Sequence, residues 1–308
     1  MTALKGRLGV DSARIPHVDR HGVVWLGRGN LIVDAGTVRF LTAGGAGLAP
    51  GSYSIPFQML SCLVLEPGTT VSHDVLRLCA SHGTGIVATG EDGVRFYASM
   101  PGGPDASARA RRQAQLWADD KGRALIARRM YAIRMGEVFP AADIAVLRGI
   151  EGARAKESYR LIAQRFGVSW RGRRYDRDDP LSADIPNQAL NHTSTAVKAA
   201  AEVAVAISGA LPQLGFIHEA SGIAFALDIA DLVRDTVTVP FAFAAVKAYY
   251  AQVRTQNLPL ERVARRLAGS MLRKEQVVSS MIDHIKGLLD EEDKTVNKGE
   301  TGSGEPAE

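Results

Sequence analysis

Two aspartates, Asp228 and Asp231, stand three residues apart in the segment 223–234, where most other positions are apolar: Ile223, Phe225, Ala226, Leu227, Ile229, Ala230, Leu232 and Val233. On a helix that spacing puts both carboxylates on one face. Carboxylates on a largely buried helix are costly unless positive charge compensates them. A divalent cation is one source of that charge; Arg234 or an arginine distant in the chain is the other. Ten residues upstream, Gly215-Phe216-Ile217-His218 supplies an imidazole, either a metal ligand or a hydrogen-bonded core histidine. A further odd carboxylate is Glu151 in Leu147-Arg148-Gly149-Ile150-Glu151-Gly152. Two glycines inside a helical pattern cost about 1 kcal/mol each relative to alanine, which points to a close backbone approach, for instance by a ligand.

Other motifs carry less. Gly83-Thr84-Gly85-Ile86-Val87-Ala88 matches G-x-G-x-x-A, but it follows a helix and enters a strand. That is the reverse of the order that aims amides at a pyrophosphate, so a helix-ending glycine before a strand is expected. There is no phosphate-binding P-loop. Cys62 and Cys79 lack metal-type spacing and read as small core residues. Asp176, Asp178 and Asp179 lack the glycine and closing glutamate of a calcium loop and read as a solvated turn.

The elements that must position these side chains fall into two patterns. Up to residue 99 the chain reads as short strands: 23–26 and 31–33 as a hairpin about Gly27-Arg28-Gly29-Asn30, then 37–41, 61–65, 86–88 and 94–98. Ser72 offers an N-cap for a helix over 74–81. The breaker run 100–105, with Pro-Gly-Gly-Pro at its centre, marks a boundary, after which the period turns helical. A long helical segment spans 107–136, with further helices over 142–166, 187–211, 224–234, 240–252, 260–268 and 273–289. The mostly apolar 187–211 helix is expected at the centre. The reading is therefore α+β: a mostly β domain over 1–99 with one short helix, a linker at 100–105, an all-α domain over 106–289, and a disordered acidic tail over 290–308.

The 308 residues hold 46% hydrophobic and 23% charged side chains, which excludes a wholly disordered or collagenous protein, and the two cysteines exclude a disulfide framework. No apolar run reaches membrane-spanning length, and residues 1–11 lack the apolar core of a signal peptide, so the cytoplasm is the expected compartment. The net charge of +4 is unevenly spread. Residues 105–177 hold 17 basic and 8 acidic side chains, and 288–308 hold 2 and 7. A basic helical segment of this kind suits a polyanion, although an exposed helix also carries arginine simply as a solvated face.

Taken in order, Leu147-Arg148-Gly149-Ile150-Glu151-Gly152, Trp170-Arg171-Gly172-Arg173-Arg174-Tyr175-Asp176, Asn187-Gln188-Ala189-Leu190, Gly215-Phe216-Ile217-His218 and Asp228-Ile229-Ala230-Asp231 resemble CRISPR-associated protein one, the integrase and endonuclease of spacer acquisition. In the first third, Leu65-Glu66-Pro67-Gly68-Thr69, Val71-Ser72-His73 and Gly93-Val94-Arg95-Phe96-Tyr97-Ala98-Ser99 are similar to its type I-E branch, and the resemblance spans about residues 20–290.

The resemblance implies a β-domain followed by a helical catalytic domain. It also implies a site of Glu151, His218 and Asp231 holding Mg2+ or Mn2+, with Asp228 either binding a second metal or orienting His218. The activity would be insertion of short DNA fragments into a repeat array by attack of a 3′-hydroxyl on a phosphodiester. A stand-alone nuclease acting on branched DNA and a non-catalytic DNA-binding scaffold are the alternatives. The implied partners are double-stranded DNA with single-stranded or branched ends, CRISPR-associated protein two, and a second copy of this chain. Arg77, Arg95, Arg173 and Arg174 are expected at phosphates and Tyr175 on an unpaired base. Where the branch places an aromatic in the N-terminal hairpin turn, this chain has Arg28, whose guanidinium plane would do any stacking.

Overall fold

The computed structural model describes residues 22–45, 47–99, 106–138, 143–174, 183–252 and 258–290. Eight strands come first: β1 (Val23–Leu26), β2 (Gly29–Asp34), β3 (Thr37–Thr42), β4 (Gly51–Ile55), β5 (Cys62–Leu65), β6 (Thr69–Val71), β7 (Gly85–Thr89) and β8 (Phe96–Ser99), with α1 (His73–His82) between β6 and β7. They form two four-stranded sheets, ordered β1-β5-β7-β8 and β4-β3-β2-β6. Strand β5 is buried at every position because both its faces are covered. Leu63 and Leu65 face the second sheet, in a cluster with Leu31, Val38, Phe40 and Cys79. Cys62 and Val64 point the other way, into the cluster formed by the helices. Both cysteines are thus buried and free, in line with their reading as small core residues.

The helices are α2 (Ala106–Ala118), α3 (Asp120–Met135), α4 (Ile144–Phe166), α5 (Ile185–Ser208), α6 (Ala224–Leu232), α7 (Val239–Gln252), α8 (Leu260–Lys274) and α9 (Val277–Leu289). Strand-rich and helical regions follow one another, so the α+β reading holds. The small side chains of α5, among them Ala196, Ala200, Ala201 and Ala204, are almost fully buried and let α6, α7, α8 and α9 pack around it as the central helix. Among the described residues no helix is long and apolar enough to cross a membrane.

Several boundaries differ from the sequence reading, each for a physical reason. The expected hairpin over 23–33 does not form, because β1 pairs with β5 while β2 pairs with β3 and β6 in the other sheet. Residues Gly27 and Arg28 carry the chain from one sheet to the next. The hairpin is β2-β3, closed by Ala35 and Gly36, both at positive φ (49° and 77°), which suits the twist of the paired strands. The segment 107–136 is two helices, because Asp119 stops the first and caps the second, accepting from the Gly122 amide at 2.8 Å. Strands β4 and β6 were not anticipated. Helix α8 continues past 268 through Gly269, where the turn at Asp92 packs so closely that a Cβ would collide with it. Gly83 ends α1 at φ 70° and Gly85 opens β7, as expected of a helix-to-strand junction.

The expected linker at 100–105, the Asp176, Asp178 and Asp179 group, Tyr175, and residues 291–308 lie outside the described residues. Asp290, expected to begin the tail, instead follows α9 and receives two hydrogen bonds from Arg109, at 3.0 and 2.5 Å.

Candidate metal centre

Three elements bring the carboxylates and the imidazole together. Helix α4 carries Glu151, α6 carries Asp228 and Asp231, and the loop between α5 and α6 carries His218. The loop turns tightly at Gly215, where any Cβ would strike the His218 carbonyl and Ala224. Gln113 of α2 fixes its start, donating to the carbonyls of Leu211 (3.0 Å) and Leu214 (2.9 Å) and accepting from the Leu211 amide (2.7 Å). Trp117 Nε1 donates to the Gly215 carbonyl at 3.0 Å, and Arg123 pairs with Glu219 at the far end.

Asp228 holds the other side of the loop and is 1% exposed. Its Oδ2 accepts from the amides of Phe216 (2.6 Å) and Ile217 (3.1 Å), and its Oδ1 from the His218 amide (2.9 Å) and imidazole Nδ1 (2.7 Å). With Nδ1 tied to a carboxylate, Nε2 is the ring atom left to face Asp231 Oδ2, 3.9 Å away. The hydrogen bond to Asp228 pushes the imidazole pKa above its ordinary value, against the effect of burial, and Asp231 adds to the rise.

A small cavity of ≈ 20 Å³ opens between these groups, lined by Glu151, His218, Asp228 and Asp231 together with Met130, Tyr131, Arg134, Ile217 and Leu232. Glu151, His218 and Asp231 thus share one cavity. Among the described residues no three such donors converge to metal-binding distance. A guanidinium stands among them. Arg134 Nη1 lies 2.5 Å from Glu151 Oε1 and 3.9 Å from Asp231 Oδ2, and its Nε lies 3.8 Å from Asp235 Oδ2. Arg234 pairs with Asp231 Oδ1 at 2.6 Å. The positive charge facing these carboxylates is therefore supplied by Arg234 and by one distant arginine, the alternative that the sequence had left open. The donor set nevertheless suits a hard divalent ion: two carboxylates and an oriented imidazole facing a position already shaped for a cation.

Arg134 and Asp235 had escaped the sequence reading. Arg134 carried a signal, since it continues the buried stripe Ile126, Ala127, Met130, Tyr131 at helical spacing. Asp235 carried one as well, four residues past Asp231 and so on the same helix face, but it stands just past the end of the helix expected over 224–234.

The remaining candidates lie elsewhere. Arg28 is exposed at the sheet crossing, beside Gly68, and not at a hairpin tip. Arg77 on α1 pairs with Asp74 at 3.2 Å, and Arg95, preceding β8, lies 3.9 Å from Glu261. Arg173 donates to Asn187 (3.1 Å) and Asn191 (2.7 Å) of α5, while Arg174 is exposed. None of these arginines lines the cavity. Glycines 149 and 152 flank Glu151 on exposed helix, and a Cβ at either would meet nothing within 4 Å. No part of the described chain makes the expected close approach.

A family model for CRISPR associated protein Cas1 matches residues 131–263, which include Glu151, His218, Asp228 and Asp231. A CRISPR-associated endonuclease Cas1 of Rhodospirillum rubrum is 36% identical over 88% of this chain and 85% of its own length. The chain belongs to the Cas1 family. The Cas1 of Escherichia coli is 34% identical over 89% of this chain and 87% of its own length. A crystal structure of a TtCas1-DNA complex, at 30% identity, superposes with a TM-score of 0.76 over 88% of this chain and 97% of that one. The family resemblance drawn from the motifs is thus established across most of the chain.

Proposed function

We propose that the chain is a metal-dependent DNA endonuclease and integrase that inserts short DNA fragments into a CRISPR repeat array. The observation that carries this reading is the cavity shared by Glu151, His218 and Asp231, with Asp228 holding the His218 loop by every acceptor position it has. Family membership supports it, as do the relatives named endonucleases and the related TtCas1 structure with DNA. In the reaction, a 3′-hydroxyl oxygen of the incoming fragment gives up its proton to solvent and forms a bond to a phosphorus at the repeat boundary. The bond from that phosphorus to the repeat strand's 3′ oxygen breaks, and the departing oxygen takes up a proton, with no covalent bond to the protein. Mg2+ or Mn2+ bound there would polarise the scissile phosphate and stabilise charge on the entering and leaving oxygens.

Each residue has a distinct part in the proposal. Glu151 of α4 and Asp231 of α6 supply carboxylate oxygens to the cavity that both line. His218 supplies Nε2, aimed by the Nδ1 bond to Asp228. Asp228, saturated by four donors, is a positioning residue and not a second metal's ligand. Arg77, Arg95, Arg173, Arg174 and Tyr175 remain proposed DNA contacts, and CRISPR-associated protein two and a second copy of the chain the proposed partners.

An integration assay on a repeat-bearing plasmid, with and without the partner, tests this. E151Q, H218A and D231N should each abolish strand transfer and leave DNA binding largely intact; full activity in any one of them overturns the site. The ion pairs of Arg134 and Arg234 favour a second reading, a DNA-binding scaffold whose carboxylates only pack helices. Chelation of divalent ions would leave a scaffold's function unchanged and stop an integrase.

A further inference from the structure

Arg134 has no part in the reaction proposed above, yet it occupies the centre of the site. Its side chain is 6% exposed, and it faces Glu151, Asp231 and Asp235. Its Nε and Nη2 are buried with no hydrogen-bond acceptor among the described residues. A guanidinium offers five N–H donors in a fixed fork, and each buried donor left unpaired is destabilising. Arg134 is therefore placed for its charge at the expense of its hydrogen bonds. We infer that Arg134 is a resident counter-ion that holds Glu151 and Asp231 in the cation-free protein and yields them to a divalent cation by moving onto Asp235. This inference rests on the metal-site reading above.

Asp235 is placed to receive it. Its Oδ1 accepts from Ser158 Oγ of α4 at 3.0 Å, which fixes the carboxylate, and its Oδ2 already faces Arg134 Nε at 3.8 Å. A short movement of the guanidinium closes that gap and lets Nε and Nη2 pair side by side with one carboxylate. Both unpaired donors would then be satisfied, and Glu151 Oε1 would be released. Asp235 follows Asp231 by four residues, so both carboxylates face the same guanidinium. Two cations a few ångströms apart repel strongly in a poorly solvated site, so Arg134 lowers metal affinity as long as it rests on Glu151. A purely structural arginine would have the opposite effect, since its loss would disorder the carboxylates and weaken metal binding.

The experiment is a Mn2+ titration of the full chain without DNA, followed by the electron paramagnetic resonance of free Mn2+, beside thermal melts in chelator and in saturating Mn2+. R134Q should bind Mn2+ at least tenfold more tightly than the unmodified chain, melt lower in chelator, and gain more from Mn2+. D235N should bind Mn2+ at least fivefold more weakly, because Arg134 is denied its second partner. In the R134Q background, D235N should lose most of that effect, since the coupling runs through the arginine. R134Q binding Mn2+ no more tightly than the unmodified chain overturns the inference, as does a D235N effect of equal size in both backgrounds. Should R134Q fail to fold, D235N alone decides: unchanged Mn2+ affinity overturns the inference and a fivefold loss supports it. E151Q separates the two levels. If the unmodified chain binds Mn2+ no better than E151Q, the metal-site reading itself fails, and this inference with it.

Discussion

Asp228 is enclosed by the segment it holds, and both of its oxygens accept two hydrogen bonds from that segment. Sequence placed it on the same helix face as Asp231 and left its role divided between ligand and orienter. The distinction depends on the backbone amides of residues 216–218, which no side-chain pattern reveals. His218 was similarly open between ligand and core histidine, and it is hydrogen-bonded while still lining the cavity. D228N keeps the shape but turns one acceptor oxygen into a donor facing N–H groups. Hydrogen bonds to a charged partner are worth about 1.5–3 kcal/mol, so D228N should destabilise the chain by at least that much, read by denaturant unfolding. It should also weaken Mn2+ binding, because the imidazole loses its anchor. A variant as stable as the unmodified chain would show that the loop stands without this carboxylate.

At the scale of elements, the hydrophobic periods gave most helices and strands but not their partners. Residues 23–33 read as two β-rich runs around a turn, yet the runs belong to different sheets, because pairing is decided by β5 and β6 far along the chain. The break within 107–136 was written in Asp119 and Gly122, whose cap geometry outweighs an uninterrupted helical composition. Glycines inside helices were the most informative exceptions. Gly269 is explained by the Asp92 turn packed against it. Gly149 and Gly152 have no such neighbour, so their cost to α4 is left without an internal cause. G149A and G152A should each stabilise the chain by about 1 kcal/mol. If incoming DNA fits against this bare helix face beside Glu151, the double variant should melt higher yet lose strand transfer, chiefly through weaker DNA binding. Full activity in the more stable variant would remove the substrate-approach argument.

Across the whole molecule, protons and salt act on different groups. Burial lowers the pKa of His192 on α5 and His284 on α9, while the Asp228 hydrogen bond raises that of His218. As pH falls below the ordinary histidine value near 6.5, the unfolded chain takes up protons at 192 and 284 before the folded one does, so these two sites lose stability toward acid. His218 acts in the opposite sense: its contribution is present in acid and is lost as pH rises through its raised folded pKa. H284Q should therefore flatten the acid side of a melting-temperature profile between about pH 7.5 and 5, and an unaltered profile would exclude His284 as a source of that slope.

Salt addresses the basic helical segment. Of the 17 basic residues in 105–177, several pair with carboxylates of the same chain: Arg109 with Asp290, Arg123 with Glu219, Arg134 with Glu151, and, at the surface, Arg154 with Glu137 and Arg160 with Glu157. Arg111, Arg112, Arg165, Arg171 and Arg174 are exposed and enter no ion pair among the described residues. The segment's excess charge therefore overstates what a polyanion would meet, and these five arginines, with the exposed Lys121, Lys156 and Arg173, belong to its available part. Each phosphate neutralised contributes about −0.9 to the slope of log binding constant against log salt on duplex DNA. Replacing Arg171 and Arg174 with glutamine should reduce the magnitude of that slope by about two and weaken binding alike on unrelated sequences. Fluorescence anisotropy of labelled duplex over a salt series measures it. A slope unchanged by the double substitution would move the DNA path away from the segment that leads into α5.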